Sequence, residues 1–286
     1  MTTQQHPLFT QYPLTGEAEI SVGRVPTPYH TYDGQGLFIG GTADLAQVTK
    51  LLANETVYPI RTASGKALIG IWVVDFIEAS LGAHNELQFS VLVSHQPTVP
   101  IADHPLTLLK ALFIDDEARM LCYHLWNNTE TVVAYNRELL GLNASITDGE
   151  IIHASGRKTF HFHASDGTLI FKGEVSVSKQ TAPRVGWQMF RLLGLRNTVQ
   201  AISQPYLGAK VVNTRSDAFP YHMDAQSFVA SDTPIVQFFD STKDRLQFGQ
   251  TAFAGIDFQP QFIEHFAPFR FVYLMPERVY SADRTP

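Results

Sequence analysis

From Ala67 to Ile77 the chain reads Ala-Leu-Ile-Gly-Ile-Trp-Val-Val-Asp-Phe-Ile, a continuous apolar run rich in β-branched residues. Such residues are stiff at χ1 and suit a pleated sheet better than a helix. A strand with one wet face would alternate polar and apolar residues. This one does not, so protein must cover both of its faces. It is also shorter than the roughly 18 apolar residues that mark a membrane-spanning helix.

The neighbouring segments add strands and a few helices. Gly36 to Gly40 reads as a strand, with Thr42 as the N-cap of a short amphipathic helix over residues 43–53, where Leu45, Val48, Leu51 and Leu52 recur at helical spacing. His84 to Val93 alternates with period two. Two hairpins are expected. In one, Phe113-Ile114 and Met120–Tyr123 flank the turn Asp115-Asp116-Glu117; in the other, Thr159–His163 and Thr168–Val177 flank Ser165-Asp166-Gly167. Thr129–Leu140 reads as a helix with Val132, Val133, Leu139 and Leu140 facing the core, and Gly186–Gln204 as a second. Strands return at Lys210–Asn213, Gln226–Ala230, Ile235–Phe239 and Phe269–Leu274. Many strands with few helices indicate a β-rich α+β fold built on a closed or nearly closed antiparallel sheet. No linker divides the 286 residues, so one domain is expected.

Composition narrows the function classes. The net charge is −6 and no Lys/Arg-rich tract occurs, which disfavours nucleic acid as a partner. The start of the chain lacks the basic and apolar regions of a signal peptide, and no span of membrane length is present, so no membrane role and a cytoplasmic location are expected. The single cysteine, Cys122, lies in the apolar run Met120–Tyr123 and reads as a buried inert thiol. Gly36–Gly41 does not keep the spacing of a dinucleotide fingerprint, and no Gly-x-Ser-x-Gly elbow or P-loop occurs.

Several segments, collinear over roughly residues 25–275, resemble the acetoacetate decarboxylases. Thr42-Ala43-Asp44-Leu45 is similar to that family's Arg-Thr-Asp-Leu helix start, and Leu81-Gly82-Ala83-His84-Asn85-Glu86 to its Leu-Gly-Ser-Tyr-Thr-Glu segment. Tyr123–Asn128 leads into Arg137-Glu138 over the family's length, and Lys210–Asn213, Phe269, Val272 and Tyr273 fit its closing strands. The resemblance implies a single-domain, cone-shaped antiparallel β-barrel with a central apolar cavity, assembled at least as a dimer, acting on a small-molecule substrate without a cofactor.

The family's lysine segment shows the main departure. It reads Gly-Arg-Glu, three variable residues, an aromatic and then Pro-Lys-Lys, the first lysine forming a Schiff base with the substrate ketone. Aligned on Arg137 and Glu138, the tripeptide falls on Asn143, Ala144 and Ser145. Alanine offers no amine, and a Schiff base requires a neutral one. A second acidic position of the family holds the apolar Ile71.

The resemblance places Glu86 on an active-site glutamate, where an apolar cavity would raise its pKa and suit it to general acid or base work; alternation also permits it to face solvent. His84, two residues earlier, shares its strand face and could assist or be an ordinary half-buried histidine. Arg137 could clamp a substrate carboxylate or form a structural ion pair. Ser145 could donate a hydrogen bond in the second lysine's place, and Asn143 and Ala144 would stand beside the substrate. His161 and His163 share a face but lack a third ligand at diagnostic spacing, so no metal site is assigned. Lys66, Lys158, Lys172 or Lys210 could supply a relocated amine.

Together these features lead to the expectation of a lyase- or isomerase-type enzyme acting on a carbonyl compound or keto acid through isomerisation, dehydration or retro-aldol chemistry. A non-catalytic binder of an apolar ligand and a true decarboxylase with a relocated lysine are the alternatives.

Overall fold

The computed structural model describes residues 6–203, 207–232 and 234–278. Seven strands close into a barrel: β1 (Tyr29–Asp44), β2 (Lys66–Ala79), β3 (His84–Ser94), β4 (Arg119–Asn127), β5 (Leu207–Asn213), β6 (Met223–Ser231) and β7 (Phe269–Tyr273). Each pairs with its neighbours in chain order, and β7 returns to β1 through Phe271 opposite Thr31. An odd ring cannot alternate direction at every joint. The one parallel joint lies between β4 and β5, with Val211 opposite Met120. The expected closed β-barrel is present, antiparallel at every joint but this one. Parallel neighbours need a long crossover, and this one holds the chain's largest excursion.

Among the described residues five α-helices flank the strands: α1 (Pro7–Gln11), α2 (Leu45–Leu51), α3 (Thr107–Ile114), α4 (Glu130–Glu138) and α5 (Pro183–Ser203). Within the excursion, Asp148–Ala154, Arg157–His163 and Leu169–Ser176 form an outer sheet, to which Arg245–Phe248 adds a fourth strand. That sheet packs against the barrel wall. The wall strand β2 is buried on both sides as expected: Leu68, Trp72, Val74 and Phe76 join the interior cluster, while Ala67, Ile69, Ile71 and Val73 join the layer under the outer sheet. Phe89 anchors that layer, its ring centroid 4.7 Å from Phe253, 5.1 Å from Trp126 and 5.5 Å from Phe171. Each such fully buried side chain contributes about 1.5–3 kcal/mol.

The glycines of β1 have a packing cause. A Cβ on Gly36 would stand 2.4 Å from the Phe266 ring, and one on Gly40 would stand 2.1 Å from the Phe262 ring. Strand Gln259–Phe266 lies beside this part of β1, lending its aromatic rings to the glycine gaps.

Several boundaries differ from the sequence reading. The N-cap of α2 is Asp44, whose Oδ1 accepts from the Gln47 N–H at 3.0 Å, because β1 pairs as far as Asp44 opposite Lys66 and carries Thr42 inside the strand. Phe113 and Ile114 end α3; Leu108, Leu109 and Ala111 are buried at helical spacing, so the first expected hairpin is a helix-to-strand connection. The second hairpin forms as expected, with Gly167 at φ 81°. The late helix begins at Pro183 and breaks at Gly194 (φ 77°, ψ 166°); Gln204 lies outside the described residues. Among the described residues no helix is long and apolar enough to cross a membrane.

Candidate functional site

Strand β3 reverses the usual arrangement of a half-buried strand. Leu87, Phe89, Val91 and Val93 pack under the outer sheet, and the alternate positions His84, Glu86 and Gln88 turn into the barrel. The interior holds a two-part chamber. One part, of about 50 Å³, lies among Tyr29, Leu81, His84 and Tyr135; the other, of about 70 Å³, lies among Trp72, Met120, Val211 and Phe266. Phe76, Glu86, Gln88, Phe271 and Tyr273 line both parts and so form the wall between them.

Among the described residues Glu86 is the only carboxylate on that lining. Its side chain is half-buried and lines both parts of the chamber. Burial pushes its pKa up to about 7, and one hydrogen bond from Asn127 Nδ2 to Oε2, 2.9 Å long, draws it partly back. Asn127 stands opposite Glu86 on β4. Its amide is oriented by Asn136 on α4, whose Nδ2 donates to Asn127 Oδ1 at 3.0 Å. The carboxyl is thus fixed from behind by a two-asparagine chain.

His84 shares the chamber, as the two-residue spacing implied. Its Nδ1 faces the Gly82 carbonyl at 2.8 Å and donates to it, which leaves Nε2 as the acceptor for the Tyr29 hydroxyl at 3.3 Å. Thr31 in turn donates to the Tyr29 oxygen at 2.9 Å. Burial lowers the His84 pKa to about 4, and the ring stacks on Phe76 at 4.4 Å. His84 is therefore a neutral imidazole with its lone pair occupied.

Tyr273, across the chamber on β7, was not singled out as a site residue in the sequence. Its hydroxyl is buried without a hydrogen-bond partner among the described residues, and burial foremost holds the phenol protonated, with the Cys122, Glu86 and Tyr135 charges acting the same way. A buried unpaired hydroxyl costs about 1–3 kcal/mol. The signal was faint but present: in Phe269–Tyr273, positions 269, 271 and 273 share a face, and a lone hydroxyl there falls on an aromatic wall.

The remaining candidates lie elsewhere. Ala144 is buried in the interior cluster, paired with Leu125. Ser145 pairs with Trp126 and faces outward, where His124 Nε2 lies 2.9 Å from its Oγ. Asn143 Nδ2 reaches both the Tyr123 carbonyl (3.2 Å) and His124 Nδ1 (3.1 Å). That amide orientation makes Nδ1 an acceptor and puts the ring proton on Nε2, so His124 donates to Ser145 and cannot take its proton. The serine–histidine–asparagine group therefore does not activate a nucleophile. Arg137 is exposed, and its Nε donates to the Ala144 carbonyl at 2.6 Å, bracing the α4–β4 corner. The structure thus brings Glu86 and His84 together and separates them from Ser145, Asn143 and Arg137.

Lys158 is buried in the layer outside the barrel wall, its Nζ without a partner among the described residues and its pKa lowered by burial to about 8. No lysine lines either part of the chamber among the described residues. Cys122 is buried and burial raises its thiol well above the usual range, as an inert thiol requires. His161 stands 3.3 Å from Glu150 on the outer sheet. No group of three or more metal-ligating side chains forms among the described residues.

Comparison with solved structures accounts for the architecture. An acetoacetate decarboxylase from Legionella pneumophila superposes with a TM-score of 0.61 over 94% of this chain and 91% of its own, at 8% identity. The fold is that of the acetoacetate decarboxylases. A second acetoacetate decarboxylase structure gives a TM-score of 0.55 at 11% identity, covering 89% of this chain and 90% of its own. The enduracididine biosynthesis enzyme MppR gives 0.54 at 9% identity, covering 90% and 89%. No family model and no curated protein sequence matches the chain. At such identities the likeness is one of fold, and the acetoacetate decarboxylase barrel here encloses a glutamate, a neutral histidine and a free phenol.

Proposed function

We propose that the chain is an enzyme acting on a small carbonyl compound by general acid/base chemistry at Glu86, without a Schiff base. The observation carrying this reading is the Glu86 carboxyl inside the chamber, with burial raising it to about 7. A group titrating near neutrality populates both protonation states, as a residue that must take and return a proton requires. In the proposed step Glu86 removes a proton from the carbon beside the carbonyl. The C–H electron pair becomes the enolate double bond, and charge collects on the carbonyl oxygen. Once the carboxyl has swapped that proton with solvent, its return to the same carbon completes an exchange. In a β,γ-unsaturated ketone its delivery to the γ-carbon completes an isomerisation. Its delivery to a departing β-hydroxyl, which leaves as water, completes a dehydration. A lining that carries no lysine among the described residues supports a route without an iminium.

The substrate-independent test is exchange of α-hydrogens for deuterium in a panel of small ketones, followed by NMR. The wild type should catalyse exchange and Glu86→Gln should lose about 10²–10⁴-fold. Equal exchange by both proteins would remove Glu86 from the chemistry. A mass adduct after borohydride treatment would instead restore a lysine route. The small, aromatic-walled chamber also favours a second reading, tight binding of an apolar ligand without turnover; co-purifying ligand with no exchange in any panel member would select it.

A further inference from the structure

We infer that the ligand of the Glu86 chamber is an uncharged carbonyl compound with a short apolar tail, and that carboxylate-bearing keto acids are excluded. The inference rests on the acid/base reading above and narrows its substrate class. Four observations lead to it.

No arginine or lysine lines either part of the chamber among the described residues. The nearest cation in the sequence frame, Arg137, is exposed and engaged on the Ala144 carbonyl. Arg119 is committed to Asp224 (3.0 Å) and to the Asp116 carbonyl (2.8 Å). A ligand carboxylate would therefore be buried without a counter-charge, which is far costlier than burying a neutral polar group.

The carboxyl of Glu86 has the wrong sign to receive an anion. A ligand carboxylate would stand in the same enclosure as Glu86, and two like charges there oppose each other's ionisation. His84 supplies no compensation, since its Nδ1 proton is given to Gly82 and its Nε2 accepts from Tyr29.

The free donor suits one neutral oxygen. Among the described residues Tyr273 Oη has no hydrogen-bond partner, and Tyr273 lines the wall shared with Glu86. A carbonyl oxygen accepting that hydroxyl would satisfy the phenol and hold the carbonyl at the wall that Glu86 also lines. Tyr135, by contrast, already points its hydroxyl at Met275 Sδ, 3.8 Å away.

Beyond that wall the larger part of the chamber is apolar, bounded by Trp72, Val74, Met120, Val211 and Phe269. At about 70 Å³ it has room for a short hydrocarbon tail and nothing bulky.

An isosteric pair tests this. 5-Methyl-2-hexanone and levulinate share a methyl ketone and differ in an isopropyl group against a carboxylate. Binding of each is measured by calorimetry to the wild type, Tyr273→Phe and Glu86→Gln. The neutral ketone should bind at least 100-fold more tightly than levulinate, and Tyr273→Phe should weaken it about tenfold. Glu86→Gln should narrow the preference by improving levulinate. Levulinate binding as tightly as the ketone, with sensitivity to Tyr273→Phe, would overturn the neutral-ligand inference and leave the chamber as the site. Ketone binding indifferent to both substitutions would also overturn it, by placing the ligand elsewhere. Binding of neither ligand would overturn both this inference and the ligand-site reading of the chamber.

Discussion

Replacing Glu86 by glutamine should stabilise the protein in alkaline solution and leave it nearly unchanged in acid. A carboxyl whose folded pKa lies above its unfolded value binds more protons folded than unfolded between the two. Its favourable contribution is complete below the unfolded value and is lost as pH rises through the folded one. For Glu86 the window runs from 4.5 to about 7. At about 1.4 kcal/mol per pH unit, the ionised carboxyl costs up to about 3 kcal/mol above that window. Glutamine is nearly isosteric, still accepts from Asn127 and carries no charge to desolvate. Urea denaturation of wild type and Glu86→Gln on either side of the window measures the difference. We expect the variant to be more stable by about 2–3 kcal/mol on the alkaline side and by less than about 0.5 kcal/mol on the acid side. Glu264 is raised to about 7 by burial as well, so part of the wild-type pH slope should survive in the variant. A stability difference equal at both pH values would refute the claim that Glu86 is desolvated in the native state.

Four further substitutions probe separate parts of the structure. Tyr273→Phe removes a buried hydroxyl with no partner and should hold or raise stability by up to about 1 kcal/mol in thermal melts while reducing ketone exchange. Ser145→Ala should leave exchange within about twofold of wild type by NMR, because the hydroxyl faces His124 outside the chamber. Lys158→Met should stabilise by up to about 3 kcal/mol near neutral pH in urea titrations, with the gain shrinking as pH rises from about 8 to 10.5, where the unfolded lysine also loses its proton. Gly41→Ala should cost more than about 3 kcal/mol or prevent soluble expression, since its Cβ would meet the Gln259 carbonyl oxygen at 2.2 Å.

Much of the barrel was legible because it is written in local residue patterns. The apolar run of β2 required cover on both faces, and the hairpin at Asp166-Gly167 announced itself through its turn residues. The pairing of His84 with Glu86 followed from strand periodicity alone. What the residues could not display is which face of β3 looks inward. Leu87, Phe89 and Val91 are the apolar set, and ordinary patterning would turn them to the barrel centre. The outer sheet instead claims them, and its hydrophobic layer drives Glu86 into the chamber. Ser145 depends on a similar non-local choice: its short strand joins β4 in parallel, which aims Ala144 inward and Ser145 outward. The asparagine chain behind Glu86 joins α4 to two barrel strands, a convergence without a sequence period. Tyr273 escaped notice because its importance lies in the partner it lacks.

The most direct measurement is the ionisation of Glu86 itself, read as the infrared difference between wild type and Glu86→Gln across a pH titration, with and without the neutral ketone. We expect a protonated carboxyl band, absent from the variant, that disappears with a midpoint near 7 and shifts when the ketone occupies the chamber. A midpoint near 4.5, unmoved by ligand, would mean a solvated carboxylate and contradict an acid/base site at Glu86.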